Sequence, residues 1–133
     1  QCALECAEIL GINNERTAKW KNRKDNLLEY KIGQHGQLQE WLEDRDDPNN
    51  KHRHINHLWG LHPGTQISPL KTPKLADAAL VTLAHRGDGA TGWSLGWKLN
   101  FWTRMRNGEK AMILLNNLVK EKLYPNLFEL ILS

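Results

Sequence analysis

The sequence predicts an all-α fold with long polar loops, and three observations support this prediction. Apolar residues recur every three or four positions in several stretches of the 133-residue chain, which is the helical period. Strand-like alternation is rare, and its clearest short case is residues 36–41. The segment from Lys31 to Lys51 is too long for a simple helix hairpin. We therefore expect helix pairs whose long loops build a cleft at one end.

Helix boundaries follow from glycines, prolines and capping residues. Gly11 ends the first helix, and Asn13 and Asn14 offer a cap for the second. Thr72 and Pro73 are the expected N-cap and first residue of the fourth helix. The tail after Pro125 is apolar but gives no assignment. The predicted helices cover residues 2–10, 15–28, 54–61, 73–85, 93–105 and 109–120, and residues 87–92 form a glycine-rich loop.

The fifth predicted helix carries more aromatic residues than any other predicted helix. One face, defined by i, i+3 and i+4 spacing, is expected to pack in the core with its aromatic rings. The residues of this face are Trp93, Gly96, Trp97, Asn100, Phe101 and Arg104.

Composition excludes several classes of protein. A content of 40% hydrophobic and 25% charged residues is typical of a globular domain, and no apolar run approaches the ~20 residues of a membrane span. The net charge of +3 is dispersed, whereas nucleic-acid binding concentrates basic residues on one face. Cys2 and Cys6 are expected to be free, partly buried thiols. The chain lacks an initiator Met and begins inside a helix, so we expect a piece of a longer protein.

The segment from His52 to Gly64 has the highest concentration of side chains that could bind a ligand. Four histidines, one arginine and one tryptophan lie within these 13 residues, more imidazoles than a core requires. Such polar and aromatic groups suit a polar, ring-shaped ligand, for which Trp59 and Trp41 offer stacking faces. A metal site at His52, His54 and His57 is the alternative, although the spacing matches no strong zinc signature.

Asp88 is the best candidate for a reacting carboxylate. Glycines on both sides allow its backbone to turn tightly and approach a ligand. The simpler interpretation is a cap on the following helix. Glu40, Glu43 and Asp44 are weaker candidates, because a solvated acidic loop explains them equally well.

Three motifs together resemble one known family. Residues 36–41, residues 52–64, and residues 87–94 with Trp97, Lys98 and Asn100 occur in the order and spacing of family 95 glycoside hydrolases. This family contains α-L-fucosidases and some α-L-galactosidases. The resemblance extends from about Cys2 to Leu118 and corresponds to the C-terminal half of the catalytic domain.

The resemblance implies a fold and a reaction. The fold is an (α/α)6 toroid, to which residues 1–133 contribute only some helices. The reaction is inverting hydrolysis of a terminal fucose, typically α-1,2-linked to galactose, without metal or cofactor. The general acid, a Glu in a Thr-Ser-Pro-Glu motif, and the asparagines that help position the water would lie upstream, so the isolated chain is expected to be inactive. The implied partners are a fucosylated glycan and the rest of the catalytic domain, with no nucleic acid and no membrane.

The resemblance also assigns roles to residues of this chain. Asp88 is expected to help activate the attacking water, and Arg53 and His54 to hold sugar hydroxyl groups. The remaining candidates for sugar contact are Trp59, Gln39, Trp41, Thr91 and Trp93.

Three alternatives remain open at this stage. An α-L-galactosidase of the same family differs in its substrate by one hydroxyl group at C6. A carbohydrate-binding helical module without chemistry would keep Trp59, Arg53 and His54 but would not require Asp88. A histidine-rich metal-dependent hydrolase would contain stoichiometric zinc.

Overall fold

Helices dominate residues 2–128, the part of the chain that the computed structural model describes. Within that part there is no β-strand, and Ile32 and Leu38 form an isolated antiparallel bridge. The prediction of an all-α chain is confirmed. The elements are α1 (Cys2–Ile9), α2 (Glu15–Asp25), a 3₁₀ helix (Asn56–Gly60), α3 (Pro73–Arg86), α4 (Gly92–Arg104) and α5 (Gly108–Glu121).

Helices α1 and α2 contact each other and are joined by a short connection that caps α2. Gly11 follows α1 with a φ of 65°, a conformation that glycine adopts without strain. Asn14 caps α2, since its side chain accepts from the N–H groups of Arg16 and Thr17. Helix α2 ends at Asp25 and not at the predicted Leu28, because the Asn26 amide group donates to the Asn22 carbonyl at 2.8 Å.

The two cysteines lie on α1 and are both exposed and free. The expectation of partly buried thiols was therefore wrong. Helix α1 buries only Ala7, so its remaining faces stay accessible.

The core lies among α3, α4, α5 and the segments that precede them. Helices α4 and α5 form an antiparallel pair, and the Asn107 side chain caps α5 by accepting from the Lys110 N–H at 3.0 Å. The buried apolar residues are Leu38, Ile55, Leu58, Leu61, Ile67, Ala76, Ala78, Ala79, Leu83, Leu95, Phe101, Trp102, Ala111 and Leu114.

The buried face of α4 differs from the predicted one. Trp93 is 65% exposed, and Asn100 and Arg104 are also exposed. The hydrophobic pattern predicted the wrong face because two polar residues, Ser94 and Lys98, lie on the core side of α4. A pattern based on hydrophobic residues assigns such positions to solvent. The face that packs inward carries Ser94, Leu95, Lys98, Phe101 and Trp102.

The long segment before the 3₁₀ helix is anchored to α3. Leu38 is fully buried, and its N–H donates to the Ala78 carbonyl and to the Thr82 hydroxyl, both at 3.1 Å. Gln37 is buried as well, and its amide group donates to carboxylate oxygens of Asp44 and Asp46. The acidic residues at 44 and 46 therefore fold over Gln37 and do not form a purely solvated loop.

The 3₁₀ helix is shorter than the predicted helix over residues 54–61. Gly60 permits a close approach here, because a Cβ at this position would lie 2.1 Å from the Tyr30 hydroxyl oxygen. The Ile67 N–H donates to the Gly60 carbonyl at 2.9 Å, which folds the following chain back onto the helix. No helix in residues 2–128 combines the length and apolar composition needed to cross a membrane.

Candidate active site

A cleft lies between the residues that precede the 3₁₀ helix and the N-terminal half of α4. It holds about 350 Å³ of empty space, including the part that opens to solvent. It brings together three sugar-binding candidates, namely Arg53, His54 and Trp93. The other lining residues are Ile55, Asn56, Ser94, Trp97 and Phe101.

Trp93, Trp97 and Phe101 line this cleft, and Trp59 and His62 pack against Trp97 outside the lining. The Trp97 ring lies at the centre, with centroid distances of 6.1 Å to Trp59 and 6.4 Å to Trp93. His62 packs edge-on against Trp97 at 5.6 Å. Trp59 and Trp93 are 58% and 65% exposed, so both offer flat apolar surface to a ligand. Exposed aromatic surface next to polar groups is typical of binding sites.

Ser94 adds an unused polar group to the cleft. The residue is 3% exposed, and its hydroxyl oxygen has no hydrogen-bond partner among the described residues. Buried hydroxyl groups normally find a partner. Ser94 is therefore a buried polar group at the edge of the cleft whose partner is not among the described residues.

Arg86 fixes the backbone around Arg53. It is the last residue of α3 and is 6% exposed. Its Nη1 donates to the carbonyl oxygens of His52 at 3.1 Å and His54 at 2.9 Å. Its Nη2 donates to the Glu40 carboxylate at 2.5 Å. A planar guanidinium group can serve several acceptors at once, so Arg86 joins α3, Glu40 and the segment of the two sugar-binding candidates.

His57 completes the network around Glu40. Its Nδ1 lies 3.8 Å from Glu40 Oε1. Burial lowers the pKa of His57, and the Glu40 carboxylate only partly opposes this effect. Glu40 thus serves as the counterion of Arg86 beside a neutral imidazole.

Asp88 lies on the loop that connects α3 to α4. Gly87 has a φ of 65°, and its N–H still donates to the Leu83 carbonyl at 3.0 Å. The Asp88 carboxylate accepts from Lys110 Nζ at 2.7 Å, and the two side chains are 35% and 40% exposed. Asp88 does not cap α4, whose N-cap position is held by Thr91 without a side-chain bond.

Lys98 binds the same loop from the buried face of α4. Its Nζ donates to the carbonyl oxygens of Gly87 at 2.7 Å and Gly89 at 2.8 Å. Burial lowers the pKa of Lys98, and the nearby Asp88 carboxylate counteracts this effect.

The remaining candidates lie away from the cleft lining. Thr91 immediately precedes α4, one turn or less from Trp93 and Ser94. Gln39 is half-buried, and its side-chain oxygen is buried without a hydrogen-bond partner among the described residues. Trp41 is 57% exposed. Neither Gln39 nor Trp41 lines the cleft that Arg53 and His54 share.

The histidines do not form a metal site in the described part of the chain. No group of three His, Cys, Asp or Glu side chains in residues 2–128 is arranged to hold a metal ion. The rings of His52 and His54 are tilted against each other at 5.4 Å, whereas His57 faces Glu40. The metal-hydrolase alternative therefore has no ligand set in this part of the structure.

Sequence comparison identifies the family to which this arrangement belongs. Residues 1–131 match the family model described as the glycosyl hydrolase family 95 catalytic domain. The chain belongs to this family. It is 40% identical over 109 residues to "Alpha-L-fucosidase 2" of Arabidopsis thaliana, an alignment that covers 81% of the chain and 13% of that protein.

Two fungal relatives agree with this assignment, and both are named "Probable alpha-fucosidase A". The protein of Aspergillus niger is 33% identical over 105 residues, covering 74% of the chain and 13% of the relative. The protein of Aspergillus oryzae is 32% identical over 124 residues, covering 82% of the chain and 17% of the relative. The chain thus spans between 13% and 17% of the length of these curated relatives.

Sequence reasoning missed the residues that hold the site together. Arg86 and Ser94 were not singled out, Glu40 was considered only as a reacting group, and Lys98 appeared only within a motif. Lys98 carried no usable signal in the helical pattern, because the carbonyl groups that it binds lie on the loop before α4, 11 and 9 residues away. Arg86 carried no local signal, since its partners are 32 to 46 residues away along the chain.

Proposed function

We propose that the protein carrying this chain is an inverting α-L-fucosidase that releases terminal α-1,2-linked fucose from glycans. We further propose that residues 1–133 are a C-terminal part of its (α/α)6 catalytic domain. The observation that carries the proposal is the cleft, in which Arg53, His54 and the exposed Trp93 converge within a chain of family 95. Hereafter, the full-length protein means the polypeptide that carries this chain.

Binding of the sugar is assigned to the cleft. The guanidinium group of Arg53 and the imidazole of His54 bond to hydroxyl groups of fucose, while Trp59 and Trp93 pack against its apolar ring face. Arg86 supports this role, since it holds the carbonyl groups on both sides of Arg53. Further sugar contacts are proposed for Thr91, which precedes α4, and for Gln39 and Trp41 on the side of Glu40.

Asp88 is proposed to accept a proton from the attacking water. Its ion pair with Lys110 does not prevent this role, because the pair keeps the carboxylate ionised and both side chains remain partly open to solvent. An inverting mechanism needs a second carboxyl group about 6.5–9.5 Å away, which protonates the leaving oxygen. The general acid is proposed to come from another part of the full-length protein. The reaction needs neither metal nor cofactor.

The test compares the wild-type full-length protein with Asp88→Asn on an α-1,2-fucosylated oligosaccharide. The amide keeps the shape of the side chain but cannot act as a base, so kcat is expected to fall about 100-fold or more with KM little changed. Asp77→Asn, an exposed position on α3, is the matched control and should retain activity. Near-normal turnover of Asp88→Asn would contradict the role of Asp88.

Three further measurements distinguish the alternatives. NMR of freshly released sugar should show the β-anomer first, and the α-anomer would exclude inversion. Faster cleavage of an α-L-galactoside would indicate the other substrate of the family. Binding of the oligosaccharide without release by the wild type would indicate a binding module. The isolated 133-residue chain should release no fucose.

A further inference from the structure

Lys98 is a charged side chain enclosed by the protein. It is 1% exposed and is one of the largest fully buried side chains in the described part of the chain. A buried ammonium group is costly unless acceptors surround it, and a well-packed apolar residue of similar volume is often at least as stable. A lysine at this position therefore calls for a reason beyond packing.

The two hydrogen bonds that Lys98 donates indicate that reason. Lys98 Nζ donates to the carbonyl oxygens of Gly87 and Gly89, the two residues that flank Asp88. The backbone carbonyl groups of residues 87–90 accept no other hydrogen bond from the described residues, apart from bonds inside helices. The backbone N–H groups of residues 88–90 donate no hydrogen bond to another described residue.

The loop has little other means of fixing its path. Gly87 and Gly89 have open space around them, with no atom within 4 Å of an added Cβ. Glycine also has the widest backbone freedom of all residues. The path of the backbone on both sides of Asp88 therefore depends on the two carbonyl groups that Lys98 holds, while Lys110 Nζ binds the carboxylate itself at 2.7 Å.

We propose that Lys98 is a positioning residue for Asp88: by binding the carbonyl groups on either side, its ammonium group fixes the backbone from which the Asp88 side chain projects. The proposal rests on the proposed function, in which Asp88 activates water. In this role Lys98 acts through the loop and does not touch the reacting atoms.

The experiment is a double-mutant cycle in the full-length protein. Lys98→Met, Asp88→Asn and the double variant are assayed for kcat and KM on the α-1,2-fucosylated oligosaccharide. Lys98→Met should lower kcat by up to about 100-fold, as misplacement of a reacting group does, with KM little changed. Lys74→Met, which removes an exposed lysine from the first turn of α3, is the matched control and should behave as wild type.

The double variant separates positioning from simple loss of structure. If Lys98 acts through Asp88, adding Lys98→Met to Asp88→Asn should cost no more than about a further twofold in kcat. A merely structural lysine would slow both backgrounds by the same factor, and additive losses would overturn the proposal. Wild-type kcat in Lys98→Met would also overturn it and would leave the role of Asp88 intact.

Two remaining outcomes are also decisive. If Asp88→Asn turns over normally, the proposed function of Asp88 fails and the Lys98 proposal fails with it. If Lys98→Met does not fold, as judged by circular dichroism and thermal unfolding, Lys98→Gln replaces it, since its amide group still donates. Loss of folding in both variants would assign Lys98 a structural role and overturn the proposal.

Discussion

At the scale of single residues, two buried cations are the most informative feature. Arg86 and Lys98 are 6% and 1% exposed, and both donate to main-chain carbonyl oxygens of irregular segments. Arg86 binds the segment of Arg53, and Lys98 binds the segment of Asp88. Irregular backbone lacks the repeating bonds of helices, so a multidentate cation can hold it in one conformation.

Replacing Arg86 by methionine tests the first of these cations. The variant removes three hydrogen bonds and leaves Glu40 as a partly buried carboxylate without its partner, which should lower the free energy of unfolding by about 3 kcal/mol or more. KM should rise, because the backbone around Arg53 loosens. Thermal unfolding and steady-state kinetics measure both effects. The exposed Arg23→Met on α2 is the control, and Glu40→Gln in the Arg86→Met background should recover part of the stability.

Protonation of His57 should weaken the fold. Burial holds the pKa of His57 below that of an unfolded histidine, about 6.5. Between these two values the unfolded chain binds more protons, so the stability present above about pH 6.5 is lost as the pH falls through the folded pKa. Thermal midpoints of the full-length protein at pH 7.5, 6.5 and 5.5 measure this loss. His57→Gln should show a smaller decrease, and an equal decrease in both proteins would contradict the assignment.

Local sequence revealed the residues that line the cleft better than the residues that support them. Arg53, His54 and Trp93 were predicted and lie in one cleft, because short motifs carry chemistry that is visible residue by residue. The pairing of Glu40 with Arg86 spans 46 positions, and no local pattern specifies it. Gln39 and Trp41 belong to a matching motif but not to the cleft lining, so motif membership did not imply proximity.

At the scale of elements, the ends of the helices place the proposed site. Helix α3 ends at Arg86, and α4 begins at Gly92, so the Asp88 loop connects two rigid elements that both enter the core. The N-terminal anchor of this arrangement is Leu38, whose N–H bonds tie the preceding segment to α3. Substitutions at these junctions should therefore affect function more than substitutions within the helices.

Gly87 and Gly89 offer a matched pair for testing the junction. Gly87 has a φ of 65° and a ψ of −176°, a region that is essentially restricted to glycine, so Gly87→Ala introduces backbone strain of about 1–3 kcal/mol. Gly89 is exposed, is not among the glycines with a positive φ and has open space around it. Gly89→Ala should therefore destabilise the protein much less. Thermal midpoints and kcat should both fall further for Gly87→Ala. Equal effects of the two alanines would show that the turn at Gly87 is not strained by a side chain.

Helix positions were predictable to within a few residues, whereas helix faces were less so. Gly11, Asn14 and Gly87 mark boundaries because their backbone or capping preferences are local. The core face of α4 was misassigned because its Lys98 is stabilised by carbonyl groups of another segment. Burial of polar groups depends on such non-local partners, which hydrophobic periodicity does not contain.

At the scale of the whole molecule, much apolar surface remains uncovered. Helix α5 exposes four large apolar side chains, and the ends of α1 and α2 expose more. Large exposed apolar side chains that are grouped on a helix usually meet another element or another chain. The chain spans only 13% to 17% of its curated relatives, consistent with the proposal that further helices cover these faces. The residues are Met112, Ile113, Leu115 and Val119 on α5, and Ile9, Leu10, Leu27 and Leu28 near α1 and α2.

The isolated 133-residue chain is expected to self-associate through these faces. Sedimentation velocity at increasing protein concentration measures the association. Ile113→Lys places a charge on the exposed face of α5 and should shift the distribution toward monomer, because burying a lysine in an apolar contact is costly. A wild-type chain that stays monomeric at all concentrations would contradict the expectation.

The arrangement of indole rings at the cleft gives the protein an optical reporter. Trp59 and Trp93 are more than half exposed and lie within 6.4 Å of the partly buried Trp97, so they emit from a polar environment. A sugar seated against them would displace water and shift their fluorescence to shorter wavelength. The signal does not depend on turnover, and so it reports occupancy even in a variant that has lost its carboxylate. Substrate affinity and bond cleavage thereby become separable in one cuvette.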